Sequence, residues 1–232
     1  ERTLDNKPVR IEASAIGKSV ENRTIEKMVL GNGREGILFM ASIHGDEAAG
    51  TPLMYHLSDY LRANPYMLKG RKIMILPMIN PDGTKRNSRY NARGVDLNRN
   101  FDTANRINRS RHGFEPLSEP ETRLIVQSIR ECNPKRIITI HQSAACVDYD
   151  GPGRELATHM AKYCDLPVRK LGAMPGSLGS YAGLTLGIPT ITFELHKHSE
   201  RLNPEELWEQ YGAALIASVL YPEGPPHRIV KQ

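Results

Sequence analysis

The amino-acid sequence predicts an α/β fold with a central mixed, mostly parallel twisted sheet flanked by helices. The prediction depends first on short, nearly continuous apolar runs, which are typical of strands buried on both faces. Segments with apolar residues at helical spacing alternate with these runs, and this alternation indicates a mostly parallel sheet. The chain has 232 residues without an internal repeat, low-complexity tract or linker, so a single domain over residues 1–232 is expected.

The first half of the chain supplies a hairpin, two further strands and a helix. The expected elements are an outer hairpin of Val9–Ala15 and Thr24–Leu30, a strand Ile37–Ile43, a helix Ala48–Ala63 and a strand Lys72–Ile79. The predicted core residues of the helix are Leu53, Tyr55, Leu57, Tyr60 and Leu61. The Asn-Pro-Asp-Gly sequence at 80–83 is typical of a tight turn.

The second half begins with a long polar loop. Residues 84–118 have little apolar periodicity and many Arg and Asn residues, and a loop of this length in a compact domain usually has a function. Ser118 is expected to cap a helix that has Pro120 in its first turn and runs to about Glu131. The remaining predicted elements are the strand Arg136–Ile140, the helix Arg154–Tyr163, a short strand Pro167–Leu171, a glycine-rich loop 172–179, a short helix Ser180–Leu186, the strand Pro189–Leu195 and the helix Pro204–Leu220.

Four residues that suit a zinc hydrolase lie at the carboxyl ends of three predicted strands. His44 and Glu47 follow the first of these strands, at a spacing that places both side chains on one face of a helical turn. His141 and Glu194 follow two later strands, and ligands bind at this edge of an open α/β sheet. Two histidines and one carboxylate leave a position on zinc open for water, whose pKa zinc lowers to about 7, and Glu194 would serve as the base.

Each of these residues also has an ordinary structural interpretation. His-x-x-Glu pairs occur often by chance, and a histidine at a strand end is more often a hydrogen-bonded core residue than a metal ligand. A glutamate in the same place is more often a surface or salt-bridged residue. The four residues therefore indicate a metal site only in combination.

Composition narrows the classes of partner. The formal net charge is +5, and basic residues cluster at Lys85, Arg86, Arg89, Arg93, Arg99, Arg106, Arg109 and Arg111. The cluster is either a solvated surface or a pocket for an anionic substrate. Nucleic acid is not expected as a partner, because aromatic residues do not interleave with the arginines. No apolar stretch reaches the ~18 residues of a membrane span. The odd, sparse set of three cysteines favours a reducing compartment, although the periplasm stays open.

Four motifs occur in a fixed order along the chain. They are His-Gly-Asp-Glu at 44–47, Asn-Pro-Asp-Gly at 80–83, the segment from Arg to Phe at 89–101 that ends in Asn-Arg-Asn-Phe, and Thr-Phe-Glu-Leu at 192–195. Together they resemble the M14 zinc metallocarboxypeptidase family over residues 37 to 195. The resemblance implies one zinc ion held by His44, Glu47 and His141, with Glu194 as the general base.

The resemblance also implies roles for residues of the long loop. Arg89 would polarise the scissile carbonyl and stabilise the developing oxyanion. Asn98 and Arg99 would hold a terminal carboxylate of the substrate, for which the planar fork of arginine is suited. Asp96 would orient the first zinc histidine, and its structural alternative is an ordinary turn residue.

Three departures from the larger family point to a subgroup. Gln142 stands where digestive carboxypeptidases have Ser, the glycine-rich loop lacks their mobile tyrosine, and His196-Lys197-His198 follows the base. Tyr181 is near that loop but is not assigned the tyrosine's role, and the two histidines are expected to be an ordinary polar strand end. With the short chain, these features resemble the bacterial murein peptide amidases.

That subgroup implies hydrolysis of the γ-D-glutamyl–meso-diaminopimelate bond of a murein tripeptide or a similar small anionic peptide. It also implies cytoplasmic cell-wall recycling and, by analogy, a homodimer. The alternatives are a zinc carboxypeptidase of other specificity, a zinc N-deacylase of small acyl-amino acids, or an inactive binding protein. The intact Glu194 argues against the last, because a binding protein has no need of a base.

Overall fold

The strands of the molecule form one mixed sheet. The protein is described here from a computed structural model that covers residues 14–226. Within this range the strands are β1 (Ser14–Lys18), β2 (Thr24–Leu30), β3 (Glu35–Ala41), β4 (Arg71–Leu76), β5 (Pro134–Gln142), β6 (Cys146–Asp150) and β7 (Thr190–Leu195). Their order in the sheet is β1-β2-β4-β3-β5-β7-β6.

The centre of the sheet is parallel and its edges are antiparallel. Strands β4, β3, β5 and β7 run in one direction, while β2 and β6 pair antiparallel with their neighbours. The hairpin β1–β2 extends the sheet at one edge, and β6 forms the other edge. Because the four central strands are parallel, their carboxyl ends meet at one edge of the sheet, where ligands bind in folds of this kind.

Helices cover both faces of this sheet. The α-helices of the described residues are α1 (Gly50–Ala63), α2 (Pro81–Arg86), α3 (Pro120–Cys132), α4 (Arg154–Met160) and α5 (Pro204–Leu220), with a π-helical turn at Gly179–Thr185. Apolar residues of α1, α4 and α5 pack in one core, and those of α3 and the π-helical turn pack in the other. The predicted mixed sheet flanked by helices is therefore confirmed. None of the helices formed by the described residues has the length and apolar character required to cross a bilayer.

Several predicted elements are corrected by the structure. The Asn-Pro-Asp-Gly sequence begins α2 and is not a tight turn, because the Asn80 side chain accepts a hydrogen bond from the Gly83 backbone N–H and Pro81 occupies the first helical position. Ser118 does not cap α3. Its hydroxyl donates to the Glu119 carboxylate instead, and Glu119 is the N-cap residue.

The region around the first ligand pair also differs from the prediction. Helix α1 begins at Gly50, so His44 and Glu47 lie in the turn between β3 and α1, where the Glu47 N–H donates to the His44 carbonyl at 3.2 Å. Tyr55 was expected in the core but is 45% exposed. The predicted hairpin is formed by β1 and β2, and the part of its first strand at 9–13 lies outside the described residues.

The largest error concerns the edge of the sheet near the base. The predicted strand Pro167–Leu171 is reduced to a single bridge between Val147 and Val168. The sheet is instead completed by β6, which the sequence did not predict because aspartates alternate with its apolar residues. His196 and His198 lie beyond β7 in a 3₁₀ turn, where their rings stack at 5.0 Å.

Candidate active site

Three predicted metal ligands meet at the carboxyl edge of the sheet. His44 and Glu47 come from the turn after β3, and His141 comes from the end of the neighbouring strand β5. The two Nδ1 atoms of the histidines are 3.2 Å apart, and each faces one carboxylate oxygen of Glu47, at 2.8 Å and 2.7 Å. All three side chains are buried, and their ligand atoms lie within 4.8 Å of one another.

This arrangement fits a zinc ion. Two nitrogen ligands at about 2.0–2.1 Å from a tetrahedral zinc lie about 3.3 Å apart, which is close to the distance between the two Nδ1 atoms. Glu47 offers one carboxylate oxygen to each histidine. Buried charged groups in proteins are normally paired with an opposite charge or coordinate a metal ion. The donor set of two imidazoles and one carboxylate is that of catalytic zinc sites.

Asp96 and Arg89 surround the first histidine. The Asp96 Oδ1 atom lies 3.1 Å from His44 Nε2, so it fixes the ring with Nδ1 directed toward Glu47. Arg89 donates from Nε to the other Asp96 oxygen at 2.9 Å and from Nη1 to Glu47 at 3.5 Å. The guanidinium is about one-third exposed and therefore faces the cleft as well as the metal ligands.

The charges of these groups are set by one another. Burial alone would lower the pKa of His44, but its contacts with Asp96 and Glu47 prevail and raise the pKa to about 9. Burial would raise the pKa of both Glu47 and Asp96, but hydrogen bonds and charge from the histidines hold the pKa of each carboxyl well below its ordinary value. Both carboxylates are thus ionised at neutral pH, as a metal ligand and its orienting partner must be.

Glu194 lies beside the triad without being part of it. It is directly paired with His141 in the ladder between β5 and β7, and its Oε2 atom accepts a hydrogen bond from the Ala144 N–H at 3.1 Å. Both side chains line a cleft of about 140 Å³, which also includes Arg89. The structure therefore places a free carboxylate on the same edge as the three ligands, where it can exchange protons with water or substrate.

Asn98 and Arg99 form another wall of the same cleft. The Asn98 side-chain oxygen Oδ1 accepts from the Leu178 N–H at 2.8 Å, and the Arg99 Nη1 atom donates to the backbone carbonyl of Asn98 at 2.6 Å. Burial lowers the pKa of Arg99, although its side chain remains a cation at neutral pH. All eight predicted site residues are thus close together: seven of them, including the triad, line the cleft, and Asp96 contacts His44.

Some cleft residues were not found from the sequence. Asp148 and Asp150 of β6 line its inner end together with Thr139 and Thr192. The sequence signal was weak, because an aspartate in a short polar run is typical of a loop. Tyr181, by contrast, is not among the residues that line the cleft, and its ring stacks on Phe101 at 5.6 Å.

A buried His–Glu–His triad beside a free glutamate defines the molecule as a metal-dependent hydrolase. A family model described as zinc carboxypeptidase, peptidase M14, matches residues 1–153 of the sequence. The chain belongs to this M14 family of zinc carboxypeptidases, as its motifs predicted, and zinc is its cofactor.

Individual relatives agree with this family. Murein peptide amidase A of Escherichia coli (strain K12) is 35% identical over 179 residues, which cover 69% of this chain and 71% of that protein. Carboxypeptidase M of Mus musculus is 32% identical over 158 residues, covering 58% of this chain and 34% of that protein. The crystal structure of murein-tripeptide amidase MpaA from Escherichia coli O157 superposes with a TM-score of 0.72 at 25% identity, covering 98% of each chain.

Proposed function

We propose that this protein is a zinc amidase that hydrolyses the bond between γ-D-glutamate and meso-diaminopimelate in murein peptides. The observation that carries the proposal is the buried ligand triad beside Glu194 and Arg89, in a chain that aligns over nearly its whole length with a murein-tripeptide amidase. The cleft is lined by two arginines, which suits a substrate that bears several carboxylates.

Each residue of the site has a separate role in the proposed reaction. Bound zinc supplies a Lewis acid that polarises a carbonyl oxygen and makes water more acidic. Glu194 takes a proton from the attacking water and returns it to the departing amine, so the products are a carboxylate and an amine. Arg89 donates hydrogen bonds to the oxygen on which negative charge develops. Asp96 keeps His44 in the orientation that the metal requires.

Asn98 and Arg99 are proposed to hold the carboxylate of the residue released as the amine. Arg99 lines the cleft, and a hydrogen bond to the backbone carbonyl of Asn98 holds its guanidinium in place. The arginine side chain therefore loses little conformational entropy when a carboxylate binds. A clamp of this kind selects peptides with a free carboxylate on the departing side.

A second candidate is a zinc carboxypeptidase that acts on ordinary L-peptides. The similarity to carboxypeptidase M favours it. The two activities differ in whether the enzyme cleaves a γ-linked bond that follows a D-residue.

One experiment separates the two. The protein is incubated with L-Ala-γ-D-Glu-meso-diaminopimelate and, in parallel, with an L-peptide of matched length, and the products are identified by mass spectrometry. Release of diaminopimelate without cleavage of the L-peptide supports the proposal, whereas cleavage of only the L-peptide supports the second candidate. Chelation should abolish either activity and added zinc should restore it, and hydrolysis that survives complete metal removal would exclude the zinc mechanism.

We also propose that residues 1–232 form a single catalytic domain that works in the cytoplasm, in cell-wall recycling, as a homodimer. The similarity to murein peptide amidases and the three free cysteines support this proposal. Light scattering on the purified protein tests the dimer, and fractionation of cells that produce the native gene tests the compartment.

A further inference from the structure

Gln142 is the last residue of β5. It directly follows the proposed ligand His141 and lines the cleft, yet no step of the proposed reaction uses it. Its backbone and its side chain both form hydrogen bonds with residues 47–49, the segment that joins the proposed ligand Glu47 to helix α1. The position of Gln142 is therefore coupled to the position of a metal ligand.

The backbone of Gln142 holds the carboxylate of Glu47. The Gln142 N–H donates to Glu47 Oε2 at 3.2 Å, and the same oxygen lies 2.7 Å from His141 Nδ1. The other carboxylate oxygen, Oε1, lies 2.8 Å from His44 Nδ1. Rotation of the carboxylate would break the hydrogen bond to the backbone, so each oxygen is kept toward one imidazole.

The side chain of Gln142 holds the backbone two residues after this ligand. Its Oε1 atom accepts a hydrogen bond from the Ala49 N–H at 3.3 Å. Ala49 is the N-cap residue of α1, and an alanine side chain has no acceptor with which to cap the helix. A glutamine on the neighbouring strand thus satisfies a backbone donor at the start of α1 that has no partner within the helix.

A glycine allows the close approach that this contact requires. Gly50, the first residue of α1, packs against β3 and β5, where a Cβ atom would lie 2.9 Å from the Ala41 Cβ and 2.8 Å from the Ile140 Cβ. A larger residue would push the helix away from both strands. Because Gly50 brings the start of α1 against β5, the Ala49 N–H is within reach of Gln142, two residues beyond Ile140.

The other hydrogen bonds of the turn are local. The Glu47 N–H donates to the His44 carbonyl at 3.2 Å, and the Ser42 hydroxyl lies 3.5 Å from the Glu47 carbonyl. Neither contact reaches β5. Among residues 14–226, Gln142 is therefore the residue outside the ligand set whose hydrogen bonds join residues 47–49 to the strand that carries His141.

We propose that Gln142 is a positioning residue for the metal site. Its backbone N–H orients the Glu47 carboxylate, and its side-chain oxygen fixes the backbone that follows this ligand. The role rests on the proposed metal ligands and is the same whichever peptide is cleaved. Residues that orient metal ligands typically contribute about 10- to 100-fold to metal affinity, so the side chain of Gln142 should have a measurable effect on zinc binding.

The acceptor and the donor of the amide separate this role from substrate binding. Positioning uses the side-chain oxygen, whereas a direct contact with a substrate would use the Nε2 group, which forms no hydrogen bond within residues 14–226. Gln142→Met keeps the approximate length of the side chain and removes both groups. Ala49→Pro removes only the donating N–H, at a φ of −62° that proline adopts, and leaves the Gln142 amide in place.

Zinc affinity is the first readout. It is measured for the wild type, Gln142→Met, Ala49→Pro and Gln127→Met by competition with a chromophoric chelator, and thermal unfolding of the zinc-free proteins checks that each variant is folded. Gln127 is exposed on α3 and provides the matched control. Gln142→Met and Ala49→Pro should each bind zinc about 10- to 100-fold more weakly than the wild type, and the control should bind it equally well.

The visible spectrum of the cobalt-substituted proteins is a second readout, because its bands report the geometry of the ligands and do not require catalysis. The bands of Gln142→Met and Ala49→Pro should differ from those of the wild type, and those of the control should not. A folded variant of either residue with the zinc affinity and cobalt spectrum of the wild type would overturn the positioning role.

Kinetics at saturating zinc identify the competing role. A KM for the murein tripeptide that rises in Gln142→Met alone, with unaltered zinc affinity in both variants, would assign the glutamine to substrate binding and overturn the positioning role. A wild type that binds no zinc would instead refute the proposed metal site and, with it, the zinc mechanism.

Discussion

The two halves of the active site are held in place in different ways. His141 and Glu194 stand on adjacent parallel strands, where the backbone ladder fixes their spacing. Arg89, Asp96 and Arg99 stand on a long loop between α2 and α3, whose regular structure consists of short 3₁₀ turns at Leu97–Arg99 and Ser110–His112. The loop residues need another source of order, because irregular backbone has no ladder to fix it.

Two asparagines supply that order. Asn91 donates to the buried carboxylates of Glu119 and Glu121 at 2.7 Å and 3.2 Å, and its own oxygen accepts from the N–H groups of Arg93 and Val95. Asn100 bridges the loop in the same manner, since its amide nitrogen donates to two backbone carbonyls and one hydroxyl. Hydrogen bonds from side-chain amides therefore fix the backbone of the loop, as the backbone ladder fixes the strands.

The largest expected effect comes from the strand half. Glu194→Gln removes the proposed base but keeps the shape of the side chain, so kcat should fall by about 10²–10⁴-fold while the zinc content stays at one ion per chain. Steady-state kinetics and metal analysis measure both quantities. Near-normal turnover in a zinc-loaded Glu194→Gln protein would show that the base lies elsewhere.

A slightly smaller effect is expected from the loop half. Arg89→Ala removes the proposed donor to the developing oxyanion, and kcat should fall by about 10²–10³-fold. Arg62→Ala, which changes an exposed arginine on α1, serves as the control and should leave kcat unaltered. If Arg89→Ala raised only KM, the guanidinium would be a ground-state contact and not a stabiliser of the transition state.

Arg99→Ala tests the proposed carboxylate clamp. Loss of a charged hydrogen bond should raise KM by about 10- to 100-fold with a smaller change in kcat. The effect should disappear when the substrate carboxylate is replaced by an amide, because the guanidinium then has no partner. An unchanged KM for the carboxylate substrate would remove the clamp from the mechanism.

The same division explains what could be read from the sequence. The ends of strands β3, β5 and β7 were visible as apolar runs, so the meeting of His44, His141 and Glu194 followed from parallel topology. Strand β6 was missed because Asp148 and Asp150 interrupt its apolar pattern, and these polar residues point inward only because a cleft lies there.

Loop geometry was beyond sequence reasoning for a different reason. The positions of Arg89 and Asp96 depend on hydrogen bonds from Asn91 to two carboxylates that lie about thirty residues away in the chain. The spacing of apolar residues along the chain does not indicate such a contact. The motif at 89–101 indicated which residues matter by resemblance, but the contacts that hold them became visible only in the folded chain.

The smallest expected effect tests whether Asn91 holds the loop in place. Asn91→Ala removes the amide that donates to one oxygen of each of two buried carboxylates, so the free energy of unfolding should fall by about 1–3 kcal/mol and kcat/KM should fall with it. Asn108→Ala, an exposed position in the same loop, is the matched control and should change neither. Urea unfolding of the zinc-free proteins measures the stability difference.

The pH dependence of that difference identifies its cause. Burial raises the pKa of Glu121 above its ordinary value, although the hydrogen bond from Asn91 opposes the rise. Because the folded state then holds the proton more tightly than the unfolded chain, stability falls as pH rises through this range, and removal of Asn91 enlarges the fall. The deficit of Asn91→Ala should therefore be full at pH 8 and shrink below about pH 4, where the carboxyl is protonated in both states. A deficit that does not vary with pH would mean that Asn91 orders the loop through its bonds to Arg93 and Val95 alone.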